Sequence, residues 1–226
     1  MPPEDLKRLG KAYVETKRDS LAALAWEETI RTSGNGAETY SDLGVIYMRQ
    51  HQFEKAATMF EKKFQQDSTS VSAYVNYALS NMALQKWEPA RQALYHALSL
   101  KPDYVQGYLF LARCLVQMES LAQAKRISET LVKLASKSTA TYKSELAEAR
   151  GLIGVAFLLD KKYSEAITVL TESIKLIDNN PQTRLWRAQS YALAAKHEEA
   201  IAEYKVVLKL DPQNKEAKKN LALLTQ

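Results

Sequence analysis

The chain has 226 residues with 31 Lys or Arg against 26 Asp or Glu, and the resulting net charge of +5 is too small and too interspersed for a block that grips nucleic acid. Hydrophobic residues make up 46%, which excludes a disordered chain, while 7 Gly and 6 Pro are too few for the many turns of a β-sandwich or barrel, so an all-helical protein is expected. Cys114 stands alone, which excludes an internal disulfide framework, and no run approaches the roughly 18 apolar residues of a membrane span.

In chain order the elements repeat. Ala22, Ala56, Ala90, Ala124, Ala166 and Ala200 are separated by 34, 34, 34, 42 and 34 residues, and each is followed four residues on by Trp26, Phe60, Leu94, Ser128, Leu170 and Tyr204. Twelve residues before each alanine stands a small residue: Gly10, Gly44, Ala78, Ala112, Gly154 or Ala188. Twelve residues after it come Gly34, Ser68, Pro102, Ser136, Asp178 and Pro212, all suited to a turn. A small residue in each of two helices lets their backbones approach closely, so every unit reads as an antiparallel helical hairpin. One hairpin cannot bury both its faces, and neighbours must therefore stack.

This pattern resembles the tetratricopeptide repeat, a 34-residue helix-turn-helix unit with W-x2-L-G-x2-Y, then A-x3-F, then P. Repeat two carries it as Tyr40, Leu43, Gly44, Tyr47, Ala56 and Phe60. The resemblance implies a right-handed superhelical α-solenoid of six repeats, at 3–36, 37–70, 71–104, 105–138, 147–180 and 181–214. Repeats one to four thus fill residues 1–138, and repeats five and six fill 147–214. Between them lies an insertion, 139–146, read as a longer turn feeding an extended first helix. Residues 215–226 are expected to form a helix that caps the last apolar face.

On a helical wheel, positions 4, 7, 8 and 11 of each first helix form the packing stripe, and positions 2, 5, 6, 9, 12 and 13 lie opposite. In the family that opposite face lines a concave, peptide-binding groove. Its candidate residues here begin charged, with Lys7, Arg8 and Lys11 in repeat one. They turn apolar through Asn76, Leu79 and Met82, then Phe110 and Arg113. They end at Leu152, Val155 and Leu159 of repeat five and at Trp186, Gln189 and Leu193 of repeat six. Trp186 and Phe110, at a position where packing asks for nothing large, are expected to be ligand anchors. Chaperone adaptors of the family clamp a carboxylate with a set of Lys, Asn and Arg positions of which only Lys7 is matched here, and Asp42 would repel such a group.

His51, His96 and His197 fall at different places of three repeats and do not converge, so no metal site, cofactor or catalytic set is expected. Gly151-Leu152-Ile153-Gly154 lacks the lysine of a phosphate loop. The expected function is a binding scaffold, an assembly or adaptor protein that holds an amphipathic helix or apolar segment of a protein partner. Alternatives are a recruiting arm of a larger enzyme or envelope machine, and a scaffold that self-assembles as a homo-oligomer. Nucleic acid and membrane spans are not expected. As given, the chain reads as soluble, with the cytoplasm favoured; a periplasmic or tethered location goes with a domain cut from a longer protein.

Overall fold

The computed structural model describes residues 1–33 and 36–225. Gly34, expected at a turn, and Gln226, expected at the end of the terminal helix, lie outside the described residues. Among these residues there are thirteen α-helices, one 3-10 turn and no strand. The chain divides into two compact units, residues 1–107 and 108–226.

The first unit holds α1 (Pro3–Glu15), α2 (Asp19–Ser33), α3 (Ala37–Arg49), α4 (Phe53–Gln66), α5 (Val71–Ala83), α6 (Trp87–Leu100) and the start of α7 (Val105–Gln117). From α1 to α6, each helix packs on the next. The second unit continues through α7 with α8 (Leu121–Ala135), α9 (Lys143–Leu159), α10 (Tyr163–Leu176), α11 (Pro181–Leu193), α12 (His197–Leu210) and α13 (Lys215–Leu224). The inserted residues are split: a 3-10 turn at Ser136–Ser138 leads into a turn at 139–142, and 143–146 begin α9, which is 17 residues long where α11 has 13.

The seam inside each hairpin follows from the repeated small residues. All six alanines of the second helices are fully buried. Gly10 is pressed against Trp26 and Gly44 against Phe60, so closely that a Cβ on Gly10 would lie 2.3 Å from the indole nitrogen, and one on Gly44 would lie 2.8 Å from the phenyl ring. Glycine at these two places is a packing requirement. Trp26 and Phe60 are 3% and 0% exposed and, with Leu43, Ile46 and Tyr47, form the core of the first two repeats. Each large side chain buried this way is worth about 2–3 kcal/mol.

The turn inside each hairpin is equally regular. Lys17, His51, Gln85, Glu119, Lys161 and Ala195 all have φ between 56° and 61°, at the same repeat position, and none is glycine. The residue after each donates its N–H five residues back, as Gln52 does to the Tyr47 carbonyl and Lys196 to the Tyr191 carbonyl. This is the Schellman closure of a helix C-terminus, which satisfies otherwise orphaned carbonyls. At helix starts, Asn180 accepts from the N–H groups of Gln182 and Thr183, and Asn214 accepts from Ala217.

Repeat six departs from the apolar seam. Arg184 and Arg187 of α11 occupy the positions held by Tyr40 and Leu43 in repeat two, and Glu203 of α12 stands where Met59 does. Arg184 and Arg187 both bind the Glu203 carboxylate, at 2.9 and 2.6 Å, and Arg187 also donates to Thr171 Oγ1. Glu203 is buried, so the seam there is ionic.

Candidate functional site

The residues expected in the groove separate into three settings. In the first unit, Lys7 is paired with Glu4 at 2.9 Å, while Arg8 and Lys11 are exposed. Burial holds the Asp42 carboxyl above its ordinary range, against the opposing pull of Lys11. Asn76, Leu79 and Met82 of α5 are half-buried. In the second unit, Arg113 forks onto Glu148 of α9, one arm at 2.6 Å, and its guanidinium lies 6.0 Å from the Phe110 ring. That ion pair keeps the Arg113 guanidinium firmly protonated.

Two expectations need correction. Leu152 and Val155 were placed on the open face, but they are 7% and 8% exposed because α9 is packed by α8, α10 and α11 together. Trp186 was placed where packing needs nothing large. It packs instead against the cluster of Leu158, Ala166 and Leu170, and its ring lies 3.5 Å from where a Cβ of Gly151 would stand. The indole thus lies in van der Waals reach of α9 and has a framework role.

Leu159, Gln189 and Leu193 come together. They line a pocket of about 540 Å³ with Leu158, Lys161 and Tyr163 around the α9–α10 turn, Ala192 of α11, Tyr204 of α12, and Asn220, Leu223 and Leu224 of α13. Leu159, Leu193 and Leu223 are 57%, 58% and 61% exposed, although most leucines of the chain are buried or half-buried. The polar groups of the wall are engaged: Gln189 donates to Glu216 at 2.5 Å, and Asn220 donates to the Tyr204 hydroxyl at 3.2 Å. Sequence reasoning missed the α13 wall. Continuing the repeat register past 214 would have found it, because Asn220 and Leu223 then fall at positions 6 and 9 of a seventh first helix.

A second, smaller concavity of about 270 Å³ lies in the first unit between Phe64, Tyr74, Tyr77 and His96. Phe64 stacks on Tyr74 at 4.4 Å and His96 tilts against Tyr74 at 4.3 Å, so its rings are packed on one another.

Stacked helical hairpins, with an open apolar pocket in the second unit, define a helical-repeat protein. Models of the tetratricopeptide repeat match residues 81–149 and 182–214. The chain belongs to the tetratricopeptide repeat family, as an all-α solenoid. Among solved structures, pilF of Pseudomonas aeruginosa is 17% identical with a TM-score of 0.74, covering 98% of this chain and 97% of that one. A tetratricopeptide repeat protein of Parabacteroides merdae is 14% identical with a TM-score of 0.73, covering 99% of both. YrrB, described as having an unusual peptide-binding site, is 17% identical with a TM-score of 0.69, covering 88% of this chain and 98% of its own. At such identities the likeness is one of fold. Curated relatives are the tetratricopeptide repeat protein 21 homologs of Caenorhabditis briggsae and Caenorhabditis elegans, 21% and 20% identical over 97% of this chain. The chain spans 18% of the length of those relatives. The family's fold is a scaffold for protein–protein interaction. No helix among the described residues is long and apolar enough to cross a membrane.

Proposed function

We propose that this protein is an assembly or adaptor scaffold that seats an apolar segment of a partner protein in the pocket of its second unit. One observation carries the reading. Leu159, Leu193 and Leu223 are each more than half exposed around a pocket of about 540 Å³, on three different helices of one unit. Exposed apolar surface gathered in one place marks an interface, and a pocket of several hundred Å³ takes a cluster of side chains. The scaffold does the work of positioning: α9 and α11 are the first helices of successive hairpins held by glycine and alanine seams, and α13 follows in the same register. A second reading, an arm of a larger machine, draws support from relatives of which this chain spans 18%.

The test is anisotropy of a labelled amphipathic peptide with leucines at i, i+4 and i+7. The wild type should bind it, and Leu193→Asp should weaken binding at least about tenfold while the unfolding midpoint stays put, since the side chain is mostly in solvent. Equal binding by wild type and variant would sink the assignment.

A further inference from the structure

We infer that the partner segment seated in this pocket is an acidic amphipathic helix; the inference rests on the proposed function and specifies its ligand. Of the four stretches of chain that wall the pocket, residues 158–163, 189–196 and 215–225 carry six lysines and two carboxylates, Asp160 and Glu216, while α12, which lends Tyr204, carries two lysines and three glutamates. All six lysines are exposed, and Lys161 lines the pocket itself. The Glu216 carboxylate is already engaged by Gln189. The four stretches together sum to +3 in a chain whose total is +5, and with Lys161 on the pocket wall they favour carboxylates at the edges of an apolar ligand.

The polar chemistry of the wall selects a helix over an extended strand. An extended peptide needs donors and acceptors for its own backbone, whereas a helix satisfies its backbone internally and presents only side chains. The two side-chain amides of this pocket, Gln189 and Asn220, donate to Glu216 and to the Tyr204 hydroxyl. What the wall offers a ligand is mostly leucine surface, with Lys161 at its edge. An apolar stripe at i, i+4 and i+7 flanked by glutamates complements both.

The experiment compares three labelled helical peptides with the same leucine stripe, flanked by Glu, by Gln or by Lys. The Glu peptide should bind about tenfold more tightly than the Gln peptide at low salt, and the Lys peptide most weakly. The advantage should vanish near 1 M salt, where the Debye length falls to about 3 Å. Lys161→Glu with Lys219→Glu should remove the advantage. The variant is compatible with the fold, because Glu119 holds the same turn position as Lys161 with the same φ. Equal affinity for Glu and Gln peptides overturns the acidic preference and leaves the proposed function standing. Failure of every peptide to bind overturns both. Vesicles containing phosphatidylserine form the last arm: binding that Leu193→Asp abolishes and that the Glu peptide does not compete would make this a lipid site and overturn the inference.

Discussion

The hairpin of repeat two and that of repeat six solve the same packing problem with opposite chemistry. In α3 and α4 the seam is Tyr40, Leu43 and Phe60 over Gly44, and its stability comes from filled volume. In α11 and α12 the places of Tyr40, Leu43 and Met59 hold Arg184, Arg187 and Glu203, so beside the buried Tyr204 the seam carries two guanidinium groups on one carboxylate. Filled volume degrades gradually as atoms are removed. A shared carboxylate fails at a stroke, because removing it leaves two half-buried guanidinium groups without their counter-charge.

The largest effect expected is for Phe60→Ala, about 4 kcal/mol of stability by denaturant unfolding, from lost burial and the cavity left against Gly44. Glu203→Ala should cost about 3 kcal/mol by the same measurement. The contrast sharpens if all three charged residues are replaced with the set used by repeat two, as Arg184→Tyr, Arg187→Leu and Glu203→Met. That triple variant should be as stable as wild type or better, and a loss as large as that of Glu203→Ala would show that the ionic seam is more than a substitute for an apolar one. Trp186→Ala should cost about 2 kcal/mol, less than a fully buried tryptophan, because the indole is only partly covered by the Leu158 and Leu170 cluster.

The smallest effect is one of pH. Burial raises the Asp42 carboxyl above its unfolded value, so the folded state holds this proton more tightly. Its contribution to stability is therefore fully present below about pH 3.9 and is lost as pH rises through the folded value. Asp42→Asn should flatten the stability profile across that window, with a small gain at neutral pH and none in strong acid. A profile parallel to wild type would show that Lys11 offsets the burial.

The packing seams were legible because close approach leaves a rigid signature: Gly10, Gly44 and six alanines recur at fixed spacing, and nothing larger fits. The ionic seam was not read from the sequence, although Arg187 and Glu203 stand at positions that carry no charge in the other five repeats. Exposure of the open face was not legible. Leu152 and Leu159 lie two turns apart on α9, yet one is 7% and the other 57% exposed, and the repeat position alone does not say which neighbour covers which. The pocket wall from Asn220 and Leu223 was hidden because α13 lacks the second helix that would mark it as a repeat.

The turn at Lys17, His51, Gln85, Glu119, Lys161 and Ala195 is closed entirely by backbone hydrogen bonds, and a cation, an anion, an amide, an imidazole and a methyl group all occupy it. Such a position is nearly neutral ground for sequence drift: its side chain takes no part in closing the turn, even where His51 lies edge-on to Phe53. In repeat five that freedom coincides with the edge of the pocket, where Lys161 stands. A lineage of such scaffolds could thus exchange the charge it shows to a partner through single substitutions at one turn, and alter its choice of partner while the hairpin beneath it folds as before.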